Sequence, residues 1–128
     1  MNRSDSGPET LRQLAALNRV ARIALEDLEL RPMLQRVVDA LHEEFGWEYV
    51  ACARVDVANG EFTCEALYTE LETDVEIGYG RALGSGVVGE CALSGRTFDI
   101  NDVSAHPNFV DTLHGARSEL CVPIRYGE

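Results

Sequence analysis

The stretch "WEYVACARVDVANGEFTCEALYT" limits the fold of this chain more than any other. Trp47 to Val57 is rich in β-branched and aromatic residues, which suit a pleated, half-buried surface. Asn59-Gly60 follows, the strongest short-range signal for a hairpin turn, because both residues tolerate left-handed backbone angles. Beyond it Phe62, Cys64, Ala66 and Tyr68 alternate with Thr63, Glu65, Leu67 and Thr69. That period of two puts one of the two rows on the core. An antiparallel hairpin is therefore expected in the middle of the chain, and the alternating βα units of a parallel sheet are missing around it.

Two helices are expected before the hairpin. Met1 to Glu9 reads as a flexible polar tail, and Thr10 can cap a helix that runs to about Leu28. Leu11, Leu14, Asn18, Ala21, Leu25 and Leu28 recur at spacings of three and four, a heptad seam with one polar residue in the middle. A buried Asn at such a place can set register and strand number in a parallel dimer. The seam is shorter than the three to four heptads that define a coiled coil, so packing on its own domain competes with dimerisation. The second helix begins near Pro32, which suits a first turn because its missing N–H costs nothing there. Met33, Leu34, Val37, Val38, Leu41 and Phe45 form its core stripe, and Gly46 ends it in a left-handed cap. Glu43 and Glu44 face water, and His42 beside them reads as a solvated side chain. After the hairpin, Glu70 to Gly80 is an acidic connection that reads as a solvated loop.

Gly84, Gly86 and Gly89 in "LGSGVVGECALSGRTFDIND" spell G-x-G-x-x-G, with Asp102 about 20 residues on. A dinucleotide fingerprint needs a buried strand before the first glycine and a full helix after the last. "EIGYGRAL" is broken by Gly78 and Gly80, and Gly95 leaves room for only about two turns of helix, Val87 to Leu93. The glycines instead let a tight loop enter a short helix. Thr97 to Ile100 reads as a strand, and Asn101 to Glu119 as a long irregular loop with apolar anchors Val103, Phe109, Val110 and Leu113. "SELCVPIR" is the next strand, with Pro123 marking an edge or a bulge.

The chain of 128 residues carries 22 acidic against 11 basic side chains, a net charge of −11. That balance argues against nucleic acid and anionic lipid as partners, both of which need a basic footprint. All the bases are Arg, a usage that fits a GC-rich bacterial genome. No apolar run approaches the length of a membrane span and the polar N-terminus lacks a signal core, so the cytoplasm is the expected compartment. Cys52, Cys64, Cys91 and Cys121 form no C-x-x-C pair, and each sits in an apolar stretch. They read as buried thiols acting as small hydrophobes; Cys91 and Cys121 are the better candidates for a redox or ligand-anchoring thiol. No spacing points to a metal site.

"RPMLQRVVDALHEEFGWEYVACARVD", "GSGVVGECALSGRTFDINDVSAHPNF" and "GARSELCVPIRYGE" together resemble a GAF domain, the small-molecule sensor module of bacterial signalling proteins. The resemblance implies an α+β fold, a GAF/PAS-like antiparallel sheet with packed helices and a ligand cavity. It implies one domain over about residues 10–128, apparently lacking the family's last strand and C-terminal helix. The implied function is non-catalytic: binding a small ligand, dimerising through the leading helix, or both, with no cofactor specified. Tyr68, Tyr79, Cys91, Phe98, Asp102 and Phe109 are the ligand-binding candidates because they flank the expected cavity, with Phe109 buried under the long loop and Asp102 bonded to nearby amides. Ser118 and Glu119 match the family's "RSE" words and are expected to fix strand and loop, with Arg117 as a candidate partner. An enzyme resembling free methionine sulfoxide reductase is one alternative. That branch carries a cysteine at about the place of Val88 and another in the long loop, where this chain has none. Cyclic-nucleotide binding is another, and its Asn-Lys signature is matched here only by Asn101-Asp102.

Overall fold

Residues 6–125 are described by a computed structural model. Helix α1 spans Ser6–Ala24 and α2 spans Leu30–Phe45; strands β1 and β2 span Tyr49–Asp56 and Glu61–Thr69. Strand β3 (Gly80–Ala82), helix α3 (Gly86–Ser94), strand β4 (Phe98–Ile100), a single 3-10 turn (Val103–Ala105) and strand β5 (Glu119–Cys121) complete the order. Strands β1, β2 and β3 form one sheet with β2 in the middle; β4 and β5 form a separate antiparallel ladder. The result is a mixed α+β fold with antiparallel strands and packed helices. Two compact units divide the chain: the segment up to Cys52 with Glu65–Glu70, and Ala53–Cys64 with the segment from Leu71 on.

In the first unit α1 packs on α2. The helix starts at Ser6 rather than Thr10. Pro8 is accommodated because it lies in the first turn. The residues of the expected tail that precede Ser6 lie outside the described residues. Ala16 and Ile23, one heptad apart, are the buried face of α1, while Val38 and Ala40 are the buried residues of α2. The expected seam lies on another face. Leu11, Leu14 and Leu25 are 69%, 57% and 86% exposed, and Asn18 and Ala21 are exposed as well. Self-packing of the seam is thereby ruled out within the first unit. Gly46 takes φ 72° and its N–H closes α2 on the His42 carbonyl at 2.7 Å.

The hairpin departs from the tight turn that Asn59-Gly60 suggests. Val57 to Gly60 make a four-residue loop, and only Gly60 adopts a positive φ, 65°. Asn59 instead donates from its backbone N–H and its side-chain amide to the two Asp56 carboxylate oxygens, at 3.1 and 2.7 Å. These bonds hold the Asp56 carboxyl below its usual value. An Asn engaged this way has no need of the left-handed conformation.

Phe62, Cys64 and Ala66 are buried as the alternation requires, but so is Glu65, at 5% exposure. Side chains of α2 reach Glu65 and Leu67, so part of the other row of β2 is covered too. Arg31 on α2 meets Glu65 with Nε 2.6 Å from the carboxylate, which offsets the cost of burying a charge. One turn along α2, Gln35 pairs with the backbone of Leu67 in both directions: its amide N donates to the carbonyl at 3.0 Å and its oxygen accepts from the N–H at 3.1 Å. His42 is no solvated side chain either. It stacks on Tyr68 with ring centroids 3.8 Å apart and places Nδ1 2.7 Å from the Trp47 carbonyl.

In the second unit Phe62, Cys64, Val87, Cys91 and Val103 are the buried apolar residues. The acidic connection is tied down rather than free. Thr73 bridges to Leu113, and the Asp74 N–H donates to the Thr112 carbonyl at 2.9 Å. β5 ends at Cys121, two residues before Pro123, whose missing N–H cannot extend a ladder.

Val38 is the largest fully buried side chain, at 1% exposure. Val38→Ala removes two buried carbons and leaves a cavity, so it should cost about 2 kcal/mol. Urea unfolding should show a lower midpoint with an unchanged slope.

Candidate functional site

The glycine-rich stretch builds a corner around one arginine. Arg81 sits in the middle of β3, paired opposite Phe62. Its Nη1 donates to the Tyr79 hydroxyl at 3.4 Å and its Nη2 to the Ser85 carbonyl at 3.3 Å. The guanidinium carbon lies 5.6 Å from the Phe62 ring centre and 5.8 Å from that of Tyr79. Both distances lie within the range of cation–π attraction. Nε is buried and has no hydrogen-bond partner among the described residues.

Gly86 is required by this corner. Its φ is 70°, and a Cβ there would come within 2.4 Å of Arg81 Nη2. Gly89 is required for a different reason: a Cβ would stand 3.0 Å from the backbone of Gly84, so the first turn of α3 rests directly on the preceding loop. The Gly84 N–H donates to the Gly89 carbonyl at 2.9 Å and the Ser85 N–H to Ala82 at 3.1 Å. These amides are engaged within the corner, which fits a structural role for the glycines.

The long loop closes on this corner through a residue that the sequence did not single out. Asn108 donates from its side chain to the Gly84 carbonyl at 2.8 Å and lies 3.4 Å from that of Gly86. His106 places Nε2 3.3 Å from a Glu90 carboxylate oxygen and meets Phe98 edge-on, with centroids 6.0 Å apart. Arg96 covers the Phe98 ring at 5.5 Å. Glu119 pairs opposite Ile100, and Cys121 opposite Phe98. Residues two apart on a strand share a face, so Glu119 and Cys121 point the same way. Burial raises the Glu119 pKa, while the charges of Arg81 and His106 lower it. The positive charges that bear on Glu119 are those of Arg81 and His106; the Arg117 carbonyl accepts from the Val103 N–H at 2.9 Å.

Of the six expected ligand residues, Tyr79 contacts Arg81 and Phe98 contacts His106. Cys91 is buried in α3, and Phe109 is half-buried beside Asn108. Asp102 is exposed and takes the structural role expected of it, accepting from the Ser104 N–H at 3.0 Å as the cap of the 3-10 turn. Tyr68 belongs to the first unit. Its hydroxyl donates to Glu70 at 2.6 Å, which pushes its pKa up to about 12. Arg81, Glu90, His106 and Asn108 were missed because only the fold brings them together. The one signal available beforehand was Arg81 directly before the glycine run. No group of three or more His, Cys, Asp or Glu among the described residues could hold a metal ion.

Glu119 makes a testable contribution to stability. Its carboxyl titrates above the ordinary 4.5 in the folded protein. Between 4.5 and the raised value the folded chain holds a proton that the unfolded chain has released. Stability from this group is therefore greatest below 4.5 and falls as pH rises through that interval. Glu119→Gln removes the titration. Urea unfolding of both proteins from about pH 4 to about pH 7 should show the variant gaining stability relative to the wild type as pH rises.

The GAF domain model matches residues 29–128. The chain is 27% identical over 121 residues to the Nif-specific regulatory protein of Azotobacter vinelandii, a match that covers 91% of this chain and 23% of that protein. The chain therefore spans about a quarter of that relative's length. A free methionine-R-sulfoxide reductase from Neisseria meningitidis, solved with its substrate, superposes with a TM-score of 0.77 at 26% identity, covering 91% of this chain and 66% of that one. The GAF domain of a phosphoenolpyruvate-protein phosphotransferase from Coxiella burnetii also gives 0.77, at 17% identity over 91% of this chain and 71% of its own. With most of its length inside the family match, this chain belongs to the GAF domain family.

Proposed function

We propose that the chain is a non-catalytic sensory domain of a cytoplasmic bacterial signalling protein, that it binds a small ligand, and that it dimerises through α1. The observation that carries ligand binding is the Arg81 corner. A half-buried guanidinium carries one buried N–H that lacks an acceptor, and its charge acts on the Glu119 carboxyl, which burial raises. An unmet donor of this kind costs about 1–3 kcal/mol, which a ligand acceptor would recover. Phe62 and Tyr79 supply aromatic surface beside it, and the Asn108 loop is the element expected to close over an occupant. Regulation is also the role named for the Azotobacter relative.

Dimerisation rests on the exposed seam of α1. The helix precedes the part of the chain that matches the family model. Its leucine row is open to solvent while its other face packs on α2. A face of this kind covered by its symmetry mate would bring Asn18 close to Asn18.

The likeness to a reductase favours one competing reading. Against it stands Val88 in the glycine-rich stretch, where the reductase branch carries a cysteine. Free methionine sulfoxide offered with a thiol reductant should not be turned over; measurable turnover would overturn the non-catalytic reading. A thermal-shift panel of amino acids, organic acids and nucleotides should contain at least one class that raises Tm in the wild type and not in Arg81→Gln. Light scattering should report a dimer that Leu14→Asp or Leu25→Asp converts to a monomer. A monomer at all concentrations, indifferent to both substitutions, would remove the dimer.

A further inference from the structure

The two edges of the Arg81 guanidinium are served unequally. At one end Nη1 meets the Tyr79 hydroxyl at 3.4 Å, and the rings of Phe62 and Tyr79 lie within cation–π distance of the guanidinium carbon. The other edge is the one that Nε shares with Nη2. There two N–H groups point the same way, at the spacing of the two oxygens of a carboxylate. Nε is buried and has no acceptor among the described residues. Nη2 has only the Ser85 carbonyl at 3.3 Å, a long bond for a charged donor, whose usual distance is about 2.7–2.9 Å. Gly86 keeps the space beside Nη2 clear of a Cβ. Ser85 makes no side-chain cap at the start of α3, so the helix adds its own positive potential next to this edge.

Building on the ligand-binding reading of this corner, we propose that its ligand is a small organic carboxylate, held in bidentate fashion by Nε and Nη2 of Arg81. Nε gains the acceptor it lacks, and Nη2 exchanges a long bond for a short one. A neutral amide offers this edge one oxygen and no charge, so it satisfies the pair less well. The charge balance selects a monoanion. Glu119 already acts on the charge of Arg81, and a phosphate dianion brought beside them would keep charge that nothing offsets. The way in is the segment around Asn108. Its side chain is held to the Gly84 carbonyl at 2.8 Å and lies 3.4 Å from that of Gly86, so one good hydrogen bond and one weak one must open to admit the ligand.

The test titrates the folded, isotope-labelled chain and follows the arginine Nε–H resonances. The Arg81 resonance is identified in the wild type by its proximity to the ring protons of Phe62 and Tyr79, so the assignment needs no substitution. Sodium propionate should move that resonance downfield to saturation. Propionamide at the same concentrations and sodium chloride at the same ionic strength should leave it in place, and sodium phosphate should bind more weakly than propionate. Arg81→Lys keeps the charge and loses the fork; propionate binding, read at the Gly86 amide, should weaken by about tenfold or more. Phosphate binding as tightly as propionate would overturn the choice of a monoanion. Propionamide moving the resonance as propionate does would overturn the carboxylate and leave the ligand-binding reading standing. A resonance that none of these probes moves overturns the proposal. The ligand-binding reading falls with it only if no member of the thermal-shift panel raises Tm in the wild type.

Discussion

A guanidinium cannot be placed in a protein interior without acceptors or ring faces around it, and the second unit is organised by that constraint. Arg81 lies within cation–π distance of the rings of Phe62 and Tyr79, reaches the Ser85 carbonyl and lies against Gly86. The loop can pass over it only because Gly86 lacks a Cβ. Gly89 then lets α3 start against the same loop, and Asn108 fastens the long loop to the carbonyls left at the corner. The negative potential of Glu119 on β5 meets this positive centre from another strand. One cation thus explains the glycines and the loop closure together, while burial raises the Glu119 carboxyl against its pull.

The first unit is arranged around a different problem, the covered backbone and carboxylate of β2. Arg31 and Gln35 stand one turn apart on α2 and serve β2 in different ways. Arg31 neutralises Glu65, and Gln35 supplies Leu67 with the donor and acceptor that a further strand would supply. With α2 committed on that side, α1 uses Ala16 and Ile23 for its own contact and keeps its leucine seam outward. Arg19 adds ion pairs from α1 to Glu43 and Glu44, so two acids that read as solvated are partly paired. These pairs are exposed or half-exposed and contribute little to stability. What they do is orient α1, and with it the seam.

Much of the fold was legible in advance because it follows from local periodicity. One row of β2 had to be buried once the run was a strand, and Gly46 had to end α2 once Phe45 closed its apolar stripe. The errors share one cause. His42 and Asn59 were each assigned by residue type, and each has a specific partner that local spacing does not reveal: Tyr68 and Asp56. The candidate site was less legible than the fold for the same reason. Its aromatic members Tyr79 and Phe98 were found by position along the chain, whereas its charged members were not.

The sequence by itself determined the order of elements, the antiparallel hairpin, the short helix after the glycines and the family to which the chain belongs. Each of these rests on the period of side chains along one segment or on the backbone freedom of one glycine, and such properties are complete within a few residues. Tertiary structure alone decided that Arg81 lies against Phe62 and Tyr79, that Asn108 closes the corner and that the α1 seam is left uncovered. Those facts depend on which faces meet after folding. Burial then raises the pKa of Glu119 and of Cys121, because both are covered by segments far away in the chain.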